Sequence, residues 1–358
     1  LKAEGQRTTL AQRARWSIVG FRGEVVRRTH ELYGPRAPLV AALTLARTEG
    51  LDRDVRDAFA AAGIAHLLAI SGFHVGVVAG LVSAALSRLP WGRRRKRLVA
   101  ALLTSAYVAL IGFPVSACRA ALIFVLTSLS VAAGRVPSRW GALGASALFL
   151  LWIDPRELAS PGFQLSFAGA AGLVAWARPV ESWCASHVRT WTKRVPGGLT
   201  SGVAAGVAAT LSTLPFVAWH FERVALFGIP ATLAATPLVS LALPGAALSV
   251  GLATVWAGGG VVLAGGVSVL LDALTLVARV AAEAPMASVW VSPATVLAGC
   301  LGVLAATWLA RHPRVRARGR RILTTEWLIG AVLIWPVFVT VAGRGSLELW
   351  MIDVGQGD

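Results

Sequence analysis

Apolar runs long enough to cross a bilayer follow one another through most of the chain, separated by short stretches that hold most of its charge. The pattern predicts spans at residues 64–86, 98–113, 115–134, 140–153, 162–177, 199–217, 226–257, 259–283, 290–310 and 323–342. Pro230, Pro237 and Pro244 make the seventh either two helices or one broken segment with a single net crossing. Ahead of these spans, Arg13, Arg15, Arg22, Arg27 and Arg28 interleave with Trp16, Ile18, Phe21 and Val25, which predicts amphipathic helices at the membrane surface. Residues 38–46 are apolar but too short to span. At the far end, LELWMIDVGQGD alternates apolar and polar residues and then turns through glycine, the pattern of a strand entering a soluble domain. The expected fold class is therefore an all-α polytopic membrane protein with broken and glycine-packed helices. Its expected parts are an amphipathic juxtamembrane region (1–63), a transmembrane domain (64–342) and the start of a further domain (343–358). The sequence opens at Leu1 without a methionine and stops within a motif, so both ends are expected to be cut from a longer chain.

Composition agrees with this reading: 56% of residues are hydrophobic and only 14% charged, too apolar for a soluble domain of this length. The net charge of +17 invites a nucleic-acid reading, but the positions of the charges weaken it. Arg88 to Arg97 and Arg311 to Arg321 each hold six Lys/Arg, and short basic loops between apolar spans fix orientation in any bacterial membrane protein. If the proline-rich segment is one net crossing, 18 Lys/Arg fall in inside loops, whereas the short outside stretches hold only Arg156, Arg223 and Arg344. Ten net crossings result, with both chain ends outside. Trp140, Trp152, Trp176, Trp219, Trp256, Trp290, Trp308 and Trp327 stand near proposed span ends, as an interfacial belt requires. Cys118, Cys184 and Cys300 are scattered without metal-ligand spacing and read as small apolar residues; no cofactor is expected in this chain.

The polar residues inside the spans are the candidates for function. HLLAISGFHVGVVAG, residues 66–80, carries a doubled G-x-x-x-G at Gly72, Gly76 and Gly80, expected to let a neighbouring helix reach backbone contact. Ser71 and His74 lie about 60° apart on another face of the same predicted helix. Arg119, one turn into its span, either snorkels to the interface or faces a water-filled path, with Ser116 on the same face. Gln164 and Ser166 sit just inside the outer end of the next inward span, where Gln164 suits either clamping a helix or lining a wet groove. Gly202 and Gly206 form another packing pair, and Thr210, Ser212 and Thr213 precede Pro215, where the helix is expected to bend or end. Asp272 lies mid-span, too far from Arg279 for a direct pair; Glu283 is the expected partner of Arg279. That leaves Asp272 an unpaired carboxylate, either neutral and hydrogen-bonded or lining a proton or water path.

Four ordered pieces resemble the ComEC-type competence proteins, the inner-membrane channels through which transformable bacteria draw in single-stranded DNA. They are HLLAISGFHVG, PVSACRAALIF from Pro114, DPRELASPGFQLSFAGAAG from Asp154 and LELWMIDVGQGD, and the resemblance covers residues 39–358. It implies a channel for single-stranded DNA in the bacterial inner membrane. The lining candidates are Ser71, His74, Ser116, Arg119, Gln164, Ser166 and Asp272. The implied partners are DNA, membrane lipid, an outer DNA-receptor protein, and a cytoplasmic ATPase or DNA-binding proteins inside. The C-terminal piece resembles the first strand of a metallo-β-lactamase-like domain usually regarded as a nuclease. Its divalent-metal motif lies beyond this sequence, so no enzymatic site is expected here. Thr232 departs from the family, which commonly has an asparagine there. Two rivals stand beside this reading. An intramembrane serine protease would use Ser71 with His74 or His220, although Ala69 replaces the glycine expected before the serine. A small-solute transporter would ordinarily show a repeat of broken helices. No G-x-x-x-x-G-K-[ST] is present, so a motor for DNA would be a partner.

Overall fold

Apolar segments that satisfy their own backbone as helices make up nearly everything seen in the computed structural model, which describes residues 10–191, 197–292 and 294. The helices are α1 (Leu10–Tyr33), α2 (Ala37–Leu45), α3 (Arg53–Ala61), α4 (Gly72–Ser87), α5 (Arg93–Leu110), α6 (Val115–Ala132), α7 (Arg139–Ile153), α8 (Pro161–Trp191), α9 (Gly197–Phe221), α10 (Gly228–Ala253) and α11 (Ala257–Glu283). Among the described residues four helices are long and apolar enough to cross a membrane: α6, α9, α10 and α11, with α4 and α7 shorter but also apolar. Three-residue strands β1 (Arg223–Ala225) and β2 (Ser288–Trp290) pair, a small exception to the all-α expectation. The expected spans at 290–310 and 323–342 and the strand after 342 lie outside the described residues. The chain divides into two compact units, Leu1–Thr213 with Ala225–Ser288, and Leu214–Val224 with Val289–Asp358.

Several boundaries differ from the sequence pattern. The first predicted crossing begins as a helix only at Gly72; residues 65–67 form a single 3-10 turn ahead of it, leaving α4 just 16 residues long. The basic run after it is not all loop: α5 starts at Arg93, Arg95 stacks on the Trp91 ring at 4.3 Å, and Lys96 Nζ donates to Ser87 O at the end of α4 (2.9 Å). Helix α8 continues through Pro179 to Trp191, into the stretch expected to be a cytoplasmic loop, and α9 passes Pro215 without ending. The proline-rich segment is one helix, α10, with Pro237 and Pro244 inside it. Breaking a helix in hydrocarbon would orphan a whole turn of amides and carbonyls, whereas one proline removes a single bond, so the prolines are carried.

The largest core lies in the first unit, where Leu39, Val40, Leu43, Leu51, Phe59 and Ile64 meet an alanine-lined face of α10 (Ala231, Ala235, Val239, Ala242, Ala246) and the Val267, Leu271, Leu274 face of α11. Small residues repeating every three or four positions let helices approach closely, and in a bilayer that dispersion contact is the main source of association. Helix α2, whose segment was expected with the rest of 1–63 near the membrane surface, is instead almost wholly buried, packed by α1 and α10. Its C-terminal carbonyls are closed by two long side chains: Tyr107 Oη donates to Thr44 O (3.2 Å) and Arg22 Nη2 to Leu45 O (2.9 Å), a cation at the negative end of the helix. The Tyr33 and Ser249 hydroxyls bond at 2.6 Å and tie α1 to α10 inside the core.

In the second unit, Leu214, Ala218, Val224 and Val291 form a small cluster, and the Arg223 guanidinium stacks on the Trp290 ring at 4.1 Å.

Candidate functional site

The beginnings of three helices, α4, α6 and α8, meet through side chains that the sequence singled out one by one. Ser71 is the N-cap of α4 with extended backbone, and His74 is the third residue of that helix. His74 Nδ1 accepts the Ser71 N–H (3.3 Å) and lies 3.1 Å from Ser71 Oγ, a capping box in which imidazole replaces the usual carboxylate. With Nδ1 as the acceptor, a ring proton belongs on Nε2, which is buried and has no hydrogen-bond partner among the described residues. Ser71 and His74 thus close the helix end together and do not present polar groups from a mid-helix face.

Helix α6 is joined to this cap by Ser116, whose Oγ donates to Ile70 O (2.6 Å). One turn further, Arg119 directs its guanidinium between α4 and α8. A methyl group at Gly72 would lie 2.9 Å from Arg119 Nη2, and Nε donates to Ser166 Oγ (2.7 Å) in the first turns of α8. The Phe167 ring faces the guanidinium at 5.8 Å. Ser160 caps the start of α8, its Oγ accepting the Phe163 N–H (3.1 Å) and donating to Glu157 Oε2 (2.6 Å). Gln164 Nε2 turns back to Leu158 O (3.0 Å) and so braces the connecting loop.

Arg119 is half-buried, and among the described residues it has no carboxylate partner and no hydrogen bond at either Nη. Beside it are the start of α4 at Gly72 and the first turns of α8, and it stands in the second turn of α6, so it lies toward the positive ends of three peptide dipoles. A cation among positive helix ends is electrostatically unfavourable until an anion joins it, so the chemistry this junction is suited to is capture of phosphate or carboxylate.

The remaining candidates fall elsewhere. Asp272, expected to be unpaired, forms a two-pronged ion pair with Arg36: Nε donates to Oδ1 (2.7 Å) and Nη2 to Oδ2 (2.8 Å). That pairing removes it from the list of solitary intramembrane carboxylates. Arg279 makes no ion pair with Glu283 among the described residues. Gly76 and Gly80 have nothing within 4 Å of where a Cβ would stand, so the close helix approach expected from the doubled G-x-x-x-G is not made there. Gly202 and Gly206 face α10, with Leu233 Cδ2 at 2.8 Å and Ile229 Cγ2 at 3.2 Å from the added Cβ. The tightest approach was not singled out: a Cβ at Gly172 would lie 2.1 Å from Ser212 Oγ and 2.6 Å from Ala208 O, where α8 crosses α9. The signal for it was only the small-residue run AGAAG, which has no regular spacing.

The Ser71 and His74 contact has the reach of a nucleophile and base, but Nδ1 is already the acceptor of a backbone N–H and, among the described residues, no acidic group orients Nε2. Among the described residues no group of His, Cys, Asp or Glu is arranged to hold a metal.

The sequence matches the model of a family described as Competence protein over residues 43–316, a range that contains all of this junction. It is 27% identical over 347 residues to ComE operon protein 3 of Bacillus subtilis (strain 168), covering 96% of this chain and 43% of that protein. Competence protein ComA of Neisseria gonorrhoeae is 32% identical over 148 residues, 39% of this chain and 21% of that one. The uncharacterized protein YcaI of Escherichia coli (strain K12) is 25% identical over 215 residues, 58% of this chain and 28% of that one. The chain thus spans less than half the length of each of these relatives. No solved structure matches it.

Proposed function

The chain belongs to the competence protein family, and from that premise we propose that it is a multi-pass channel domain of the bacterial inner membrane that passes single-stranded DNA into the cytoplasm during natural transformation. The observation that carries this reading is the Arg119 junction: a half-buried guanidinium with no hydrogen bond at either Nη among the described residues, held between the start of α4 and the first turns of α8. A strand moving through a membrane needs groups that attract each phosphate and release it, and one fork-shaped cation supported by backbone N–H groups meets that need without holding the strand fast. In this reading the ten net crossings place the junction at the outer face, where DNA enters, and residues 343–358 begin a separate metallo-β-lactamase-like domain that would take its own divalent metal. The strand would be delivered by a receptor protein outside and drawn on by an ATPase or DNA-binding proteins inside.

The test is uptake of labelled DNA into the cytoplasm at matched membrane abundance. Arg119→Lys is expected to keep part of the uptake, since a point cation still attracts phosphate, and Arg119→Ala to lose nearly all of it. Near-normal uptake by Arg119→Ala would remove Arg119 from the conducting path.

A further inference from the structure

A cleft of about 460 Å³ opens along one face of α11, remote in sequence from the Arg119 junction. Its walls come from α11 (Asp272, Thr275, Leu276, Arg279), from the start of α2 (Arg36, Leu39) and from the residues around the start of α3 (Leu51, Asp52, Val55). The α11 residues recur at the three- and four-residue spacing of one helix face, beside the buried face of Leu271, Leu274 and Ala278. Both carboxylate and guanidinium of the Arg36 and Asp272 pair remain about half exposed, at 44% and 57% of their side-chain surface.

That exposure conflicts with the depth. Helix α11 has 27 residues, about 40 Å of helix, against a hydrocarbon core of roughly 30 Å. Asp272 lies about 16 Å from the Glu283 end, well inside that core. Ion pairs at such a depth face the bundle interior, water or a polar headgroup, and not acyl chains. The cleft is also amphipathic, with Leu39, Leu51, Val55 and Leu276 beside its charges. Arg36 and Asp272 neutralise each other, which leaves Arg279, exposed and without an ion pair among the described residues, as the remaining cation of the wall, and Asp52, exposed at the N-cap of α3 where it accepts the Asp54 N–H, as its remaining anion.

We propose that this cleft binds a zwitterionic phospholipid, its phosphate at Arg279, its amine toward Asp52 and an acyl chain along Leu276 and Leu39. The headgroup supplies the polar cover that the Arg36 and Asp272 pair lacks, while the chain covers the apolar wall. The proposal rests on the membrane reading and is independent of DNA conduction.

The test uses the full-length protein in detergent micelles, washed free of bulk lipid and then exposed to phosphatidylethanolamine, phosphatidylglycerol or diacylglycerol, with bound lipid counted by native mass spectrometry. Phosphatidylethanolamine is expected to be retained roughly tenfold over diacylglycerol, the scale of one charge-assisted phosphate contact. Arg279→Gln should abolish that preference while Arg279→Lys keeps most of it, and Asp52→Asn should level phosphatidylethanolamine with phosphatidylglycerol. Arg279 is exposed and unpaired, so its variants keep the fold, which thermal melting in the same detergent checks. Equal retention of diacylglycerol, or wild-type retention by Arg279→Gln, overturns the proposal. Displacement of the lipid by inorganic phosphate shows a free-anion site instead, and displacement by a single-stranded oligonucleotide assigns the cleft to the DNA path; either result also overturns it.

Discussion

At Gly72 the absence of one methyl group leaves room for the tip of Arg119. Gly72 is the first residue of α4 with a backbone that alanine accepts, so Gly72→Ala leaves the helix intact and if anything favours it. Its Cβ would stand 2.9 Å from Arg119 Nη2, and the guanidinium must shift from its place beside α4 to make room. DNA uptake by Gly72→Ala should therefore fall between that of the wild type and that of Arg119→Ala, with normal amounts of protein in the membrane. Unchanged uptake would mean that the placing of Arg119, as distinct from its charge, is unimportant. At this scale the sequence named the residues one by one and missed their company. Ser71, Ser116, Arg119 and Ser166 were each visible as polar groups in apolar runs, but their meeting depends on three helices starting at a common point, which no local spacing encodes. Asp272 shows the same limit. Its partner Arg36 lies 236 positions away, so a search of its own helix could only find it alone.

Helices were legible as apolar runs, and their ends were misjudged where a basic run or a proline was taken as a stop. The basic residues at 93–97 and after 177 continue α5 and α8. In water, proline marks an end because solvent satisfies the freed groups; in hydrocarbon the same interruption costs more than the one missing bond, and α9 and α10 run on. Glycine was misjudged in a related way. The regular spacing of Gly72, Gly76 and Gly80 drew the packing prediction, yet the approach is made by Gly172, where both a side chain and the backbone of α9 crowd the absent Cβ. Gly172→Ala is accordingly expected to lower stability by about 1–3 kcal/mol, because Ala208 O is backbone and cannot step aside. Gly76→Leu should be present in the membrane at normal levels. Thermal melting of both variants in one detergent decides the matter, and the reverse ranking would return the helix contact to the Gly76 stripe.

Across the first unit, the direction of the helices is an expectation that the basic loops set and that experiment can check. Counting alternate crossings from the basic loops makes α4, α6 and α8 all run inward from the outer face. The hydrogen bonds from Ser116 to Ile70 O and from Arg119 to Ser166 join the N-terminal ends of these same three helices. Reporter fusions extend the test to the remainder: a periplasmic reporter should be silent after Arg95 and after Arg318 and active when placed after Arg156. Activity after Arg95 would invert the assignment.

The burial of α2 means that this protein is not finished in the order in which it is made. Leu39, Val40 and Leu43 leave the ribosome early, but the faces they rest on belong to α10 and α11, about two hundred residues later. At ordinary rates of synthesis that interval is roughly 10–50 s. Throughout it a nine-residue apolar helix, too short to hold itself across the bilayer, waits without its partners. The core around α2 is consequently completed only when α10 and α11, made long after it, close on that helix.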